Sequence, residues 1–560
     1  MENPKVEIPH MIKDPTVIAG NRQVDHFHCT LESNYGDGPV SNRVAVLDFD
    51  HETGQLRNAV KFIPAPAGKK MGKFNVPKSL SKTYLMNSDE FIQTSVFGAV
   101  LRTIKLFEHK NVLGRPVRWA FDGPQLLVVA RAGPWANAFY ERESRSLQFF
   151  FFSPDEESEE VVYTCLSRDI VAHETAHAIL DGIAPDLYNA VTPQSLALHE
   201  AVADLTALMM AQESGPLVED VLDKTRGAID DSTAFSSIAP QFGAALDRGG
   251  GAKYLRQLGN RKRLRDVKDD EPHELSEVLS GALFAVLIRM HDEHRERLVK
   301  ENKWKKTGDL WFTYSGAAFT SACFRLRNSI FQALEYLPPG DVTFADYGRA
   351  ILAVDAGGNL NPPFVREWIC CEFVQRGIVA KQEELLTPVN FIYEPLQKVK
   401  LTRLVEDDAE AKSFAETNRE FLQIPPEVDF NVLPRQRIIK TYYDAERNEV
   451  PAEEFLFKVS WSHIEPNELA ELAEHREVLR GTTLVINLRN SEVRAKLTSD
   501  DSDYQRRARD RMLRQLLATG RLDRDGQALR FDGSAPVIQL DTESGNLKVQ
   551  GTACLLHIVD

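Results

Sequence analysis

Asp169-Ile170-Val171-Ala172-His173-Glu174-Thr175-Ala176-His177-Ala178 is the stretch on which the reading of this chain turns. Its spacing predicts a helix over 169–182. On a helix of 3.6 residues per turn, two imidazoles four residues apart lie about 400° round the axis and point the same way. Two neutral imidazoles on one face can hold a divalent ion, and zinc suits them best. Glu174, next to the first histidine, falls beside such an ion rather than on it, where a general base acting on a water has to be. Chance alone places an HExxH pattern in a chain of this composition roughly a few times in a hundred, so the surrounding residues must decide.

A catalytic zinc site needs a third protein ligand and an open fourth position. Glu200 is the candidate, in Ser195-Leu196-Ala197-Leu198-His199-Glu200-Ala201-Val202-Ala203-Asp204. This is a second predicted helix, 193–212, opened by Thr192 as cap and Pro193 at the first helical position. Asp204, one turn on, faces the same way as Glu200 and can accept the second N–H of a ligating histidine. By itself ExxxD more often marks a solvated face. Here His199, Glu200 and Asp204 interrupt an apolar run from Leu196 to Met210, and buried carboxylates need partners.

With both helices in view, the chain resembles the thermolysin-like zinc metallopeptidases, gluzincins in which HExxH is followed by a glutamate ligand in ExxxD. The likeness covers roughly residues 85–377. It implies His173, His177 and Glu200 as ligands of Zn2+, Glu174 as general base, and Asp204, His199 and Asp169 as residues behind the ligands. His199 stands where the family usually has asparagine. Upstream, Asn137-Ala138-Phe139-Tyr140 resembles the edge strand that binds substrate as an added β-strand. Tyr188, eleven residues after His177, matches the family's transition-state tyrosine, and His273 in Asp270-Glu271-Pro272-His273 its transition-state histidine. Ile170 is placed to line a pocket for the side chain after the scissile bond. The span from His177 to Glu200 is longer than in the family, an insertion that falls in the loop at 189–195 and is tolerable there.

Outward from these helices, residues 1–168 alternate strand-like runs with turns and carry one amphipathic helix behind Ser88. Helical periodicity dominates 169–380. The fold class expected is α+β: a two-lobed, thermolysin-like zincin with a sheet lobe, a helical lobe and the active-site helix between them. The stretch 378–387 and the charged run near Glu406 to Glu410 read as a linker. Residues 390–560 read as a separate α+β domain, with strands at 436–443, 454–460, 483–488, 537–541 and 547–558, a basic helix at 503–519, and a terminal hairpin turn at Glu543-Ser544-Gly545-Asn546. His291 and His294, in a charged run, read as solvated residues at a helix C-terminus. His26 and His28 beside Cys29 read as ordinary strand packing.

Composition sets the limits. The chain has 560 residues, 43% hydrophobic and 27% charged, as a globular protein does. Its 67 basic and 82 acidic residues leave a net charge of −15, which argues against nucleic acid or an anionic membrane as partner. Six cysteines make neither a disulfide framework nor a CxxC knuckle and read as buried thiols. With no leader or membrane span legible, a cytoplasmic location is the default expectation, with leaderless export left open. The function expected is a zinc endopeptidase acting on peptides or proteins. An aminopeptidase would need a grip on a free amine, and no GxMEN-like element is present. The alternative is a catalytically silent, peptidase-like scaffold whose C-terminal domain mediates interactions.

Overall fold

The computed structural model describes residues 5–77, 85–155, 160–190, 192–230, 234–247, 253–268, 270–302, 310–469, 473–500, 502–518, 539–540, 545–547 and 549–550. The architecture is mixed α and β. Its first sheet has the order β2 (Val24–Cys29), β1 (Lys5–Met11), β7 (Met71–Phe74), β6 (Phe62–Ile63). In β1 the apolar Val6 and Ile8 are buried while Lys5 is exposed and Glu7 half-buried, the period-two pattern of a strand with one covered face. The covering element is the helix Asp89–Glu108, whose Ser88 side chain accepts the Phe91 N–H at 3.2 Å as expected of a cap.

The second sheet has six strands in the order β3 (Tyr35–Gly36), β4 (Val40–Ser41), β5 (Val44–Leu47), β8 (Leu126–Val129), β10 (Ser146–Phe149), β9 (Ala138–Glu141). β9 therefore lies at the edge, antiparallel to β10. Among the described residues no strand pairs with its outer side. Behind β9 runs the helix Arg168–Ile183, expected from the sequence to be the active-site helix, and against that the second site helix, Pro193–Gln212. Both are almost wholly buried, their polar residues included, so each is packed on all sides rather than along one amphipathic stripe. Gly182 is required where the active-site helix ends, since a Cβ there would lie 1.8 Å from the Arg118 carbonyl oxygen. Thr192 does not cap through its side chain; its hydroxyl lies 2.7 Å from that of Ser195, which is nearer than a backbone donor.

Among the described residues the helical region also holds Gly215–Thr225, Pro240–Leu246 and four longer helices, Pro272–Glu301, Leu310–Ala333, Phe344–Gly358 and Pro363–Gln375, of which Pro272–Glu301 comes first. The first runs past His291 and His294, which are buried in mid-helix rather than solvated at an end. His291 Nε2 lies 2.9 Å from the Ser315 hydroxyl, and burial lowers the pKa of His294 to about 4.

The stretch read as a linker is folded. Helices Leu401–Glu406 and Asp408–Thr417 meet at Asp407, whose carboxylate caps the second by accepting the Ala409 and Glu410 N–H groups. They cover one face of a sheet of long strands, chiefly Glu449–Pro466 and His475–Asn487. In Glu449–Pro466 the side chains alternate: Phe455, Phe457, Val459 and Trp461 join a second core with Phe414 and Leu404. Ala452 and Leu456 turn to the other face and join the main core, as do Ile438, Tyr442 and Val485. The sheet is thus buried on both sides, which explains strands longer than the alternation signal suggested. The strand Val493–Thr498 went unread in the sequence. Of the expected terminal hairpin, Gln539–Leu540 pairs with Val549–Gln550, while most of its turn and Cys554 lie outside the described residues. Cys29, Cys165, Cys323 and Cys370 are buried thiols as expected, but Cys371 is half-buried. No described helix is long and apolar enough to cross a membrane.

Polar contacts stitch this sheet to the helices. Lys440 Nζ pairs with Glu335 Oε2 at 2.6 Å with both side chains buried, Tyr336 donates to Glu454 Oε2 at 3.1 Å, and Lys458 and Thr483 both donate to the Leu337 carbonyl. Gly340 (φ +93°) passes so close that a Cβ would sit 2.2 Å from the Leu479 carbonyl oxygen. Removing the sheet would strip Glu335 of Lys440, leaving it Arg115, and would expose the main core that Ile438, Tyr442, Leu456 and Val485 complete, which is destabilising. A chain ended after Thr387 should therefore lose cooperative thermal unfolding or aggregate. Unfolding at the full-length temperature would show that the sheet is dispensable to the helical region.

Candidate metal centre

The two site helices cross so that donor atoms predicted from spacing converge. His173 Nε2 is 3.3 Å from Glu200 Oε2, and His177 Nε2 is 3.3 Å from Glu200 Oε1. One nitrogen or oxygen atom each of His173, Glu174 and His177 lies within 4.8 Å of the others. Ligand atoms about 2.0–2.1 Å from a tetrahedral zinc stand about 3.3 Å apart, so the donor set fits that ion. The backs of the ligands are held as well. Asp204 Oδ1 lies 3.0 Å from His173 Nδ1, fixing ring orientation as a carboxylate behind a ligand does. His199 stacks at a tilt on His177, ring centroids 5.7 Å apart.

Glu174 is 4% exposed, and its Oε2 has no hydrogen-bond partner among the described residues. Burial raises its pKa to about 8, outweighing His173 and the backbone N–H of Tyr140, which lower it. Glu200 shows the opposite balance: burial would raise it, but His273, His173 and Arg256 hold it well below the ordinary value. Two carboxylates on adjoining helices are thereby driven to opposite protonation tendencies by their surroundings.

A cleft of about 290 Å³ opens onto these groups. Asn137, Ala138, Ile170, Glu174 and His273 all border it. His273 Nε2 lies 3.6 Å from Glu200 Oε2, while its Nδ1 lies 2.7 Å from Glu271 Oε1, which orients the ring. Desolvation opposes the charged ring, yet Glu200 and then Glu271 raise its pKa overall. Phe139 points to the other face of the sheet, tilted against Phe150 at 5.6 Å and edge-on to Trp135 at 6.1 Å. Tyr188 is not among the residues that border the cleft. Its hydroxyl donates to Glu143 Oε2 at 3.3 Å and accepts from the Arg142 N–H at 3.4 Å, beneath the Arg142 guanidinium 4.0 Å from its ring. That guanidinium is fixed by Asp181, one turn after His177, which also accepts from the Tyr140 hydroxyl at 2.8 Å. Asp169 lies a turn before His173 and pairs with Lys13.

Arg256 went unread in the sequence. It sits on a two-residue ribbon, Arg256–Gln257 paired with Ser237–Ile238. Its guanidinium reaches Glu200 Oε2 at 3.1 Å, Asp204 at 3.0 Å and the ring nitrogens of His173 at 3.2 Å. Nothing in Tyr254-Leu255-Arg256-Gln257 announces this, since a single arginine in a short irregular segment has no periodicity to read.

No known protein-family profile matches this chain, and no curated protein is detectably similar to it in sequence.

The environment of Glu174 sets a stability test on metal-stripped protein. Its folded value of about 8 lies above its ordinary 4.5, so the folded state loses stability as pH rises through that window and the proton leaves. Glutamine has no such proton. Glu174→Gln should match the parent below pH 4.5 and exceed it increasingly as pH rises toward 8. Urea unfolding in chelator at pH 5 and pH 8 measures the difference, and a gap independent of pH would refute this reading of the burial.

Proposed function

We propose that this chain is a zinc-dependent endopeptidase of the two-lobed, thermolysin-like kind. The observation that carries the reading is the pair of 3.3 Å contacts uniting His173, His177 and Glu200, with the open carboxylate of Glu174 beside them at the mouth of a cleft. A site serving structure alone would close its fourth position with a protein ligand and has no use for a general base there.

When bound, zinc supplies a Lewis acid for the peptide carbonyl and lowers the pKa of a water beside it. The chain's own groups do the rest. The edge strand β9 offers backbone hydrogen bonds to an extended peptide, with Asn137 and Ala138 at the cleft. Ile170, Ile238, Phe242 and Leu255 form an apolar pocket for the side chain after the scissile bond. Glu174, buried at the cleft with one carboxylate oxygen unpartnered among the described residues, accepts the proton of the attacking water and passes it to the leaving amine. His273, aimed by Glu271, donates to the oxygen on which negative charge develops, and Arg256 adds a fixed positive charge to the same wall.

Glu174→Gln should retain one zinc per chain by elemental analysis and lose hydrolysis of a mixed peptide library read by mass spectrometry. Full residual activity would reject the base assigned. His273→Ala should lower kcat by about 10²–10³ with metal retained. An unchanged kcat would remove His273 from the reaction.

A further inference from the structure

The wall of the cleft opposite β9 is tied down by two consecutive residues far away in sequence. After β1 the chain enters a loop in which Lys13 is wholly buried. Its ammonium pairs with Asp169 Oδ2 and donates to the Ser237 carbonyl at 2.9 Å. The same Asp169 oxygen accepts the Ala239 N–H at 3.1 Å. Lys13 also offers its own carbonyl to the Arg168 N–H at 2.6 Å, at the start of the active-site helix. Asp14, likewise buried, accepts the Gln241 N–H at 3.2 Å in the first turn of the short helix Pro240–Leu246.

Of the residues these bonds hold, Ala239 borders the cleft, and Ser237 and Gln241 are chain neighbours of Ile238 and Phe242, which border it too. Ile238, Ala239, Phe242 and Leu246 border the cleft. Ile238 pairs with Arg256 across the ribbon, so anchoring one strand fixes the other and with it Leu255 and Arg256. Ala239 has φ +46°, a left-handed conformation costly for a residue with a Cβ, which persists only where neighbours over-determine it. Burying an ammonium costs several kcal/mol unless it is paired and hydrogen-bonded. Lys13 meets that condition by serving acceptors on two elements at once, and thereby joins the pocket wall to the helix that carries His173.

Resting on the peptidase reading above, we infer that Lys13 and Asp14 are positioning residues that set the pocket wall 237–246 against the active-site helix, and so determine which side chain is accepted after the scissile bond. A lysine serving only to neutralise Asp169 would affect stability without touching this preference.

Lys13→Met tests the inference, together with Lys13→Met/Asp169→Asn, which removes both buried charges and guards against a fold lost to an unpaired carboxylate. Three quantities are measured on the full chain: zinc content, kcat and KM for two peptides differing only in leucine or alanine after the scissile bond, and amide exchange across 168–183 and 234–247. The expected result is unchanged zinc, a leucine-over-alanine preference reduced about tenfold through KM of the leucine peptide, and faster exchange confined to 234–247. Preference and exchange both unchanged in the double variant, or equal loss on both peptides with exchange unchanged, would overturn it. If the unsubstituted protein cut neither peptide, the peptidase reading would fall, and exchange in 234–247 would by itself decide whether Lys13 holds the wall.

Discussion

Glu200 and Asp204 are two carboxylates with no solvent exposure, set into a helix that is otherwise apolar. A buried ionised group is tolerated only when partners surround it, and the arrangement of the site follows from that constraint. His173 and His177 arrive from the adjoining helix, Arg256 from a ribbon and His273 from the start of a third helix, each within 3.6 Å of one of the two carboxylates. Four elements distant in sequence are thus bound to one place by charge rather than by apolar contact alone. The same constraint explains why the segment that carries Arg256 is held from the opposite side by Lys13 and Asp14.

The cleft joins two unlike surfaces. On one side β9 is the last of six strands, and among the described residues no further strand pairs with it. Strand edges pair readily with other chains, and this one borders the cleft through Ala138. On the other side lies an apolar wall made of short, irregular pieces, whose geometry depends on buried ion pairs. The β9 edge is part of a regular sheet, whereas the opposite wall is built from the short ribbon 237–238 with 256–257 and the helix Pro240–Leu246.

Behind the site the long-stranded sheet of residues 430–498 shares the main core through Tyr442, Leu456 and Val485. Its buried pairs with Glu335 and Leu337 brace the segment that follows the Leu310–Ala333 helix, and that helix region in turn packs on the second site helix. The helix Asp503–Ala518 adds two ties, Tyr504 accepting from the Gln194 amide and Arg511 donating to Asp270. The sheet therefore contributes to the stability of the scaffold on which His173 and Glu200 are held.

What the sequence by itself determined is what lies within reach of one helix. Four-residue spacing put His173 and His177 on one face and Glu200 above Asp204, because helix geometry is local and the same wherever the helix lies. The Ser88 cap and the apolar runs of the site helices were legible for the same reason. Partners joined across the chain were not. Lys13 meets Asp169 over a separation of 156 residues, and Arg256 meets Asp204 over 52, with no repeat or motif to couple them. The burial of His291 and His294, the turn of Tyr188 toward Arg142, and the folding of 401–417 into short helices were likewise decided by packing. A charged run or an isolated histidine has no preference for surface or interior until its neighbours in space are assembled, and only the tertiary structure assembles them.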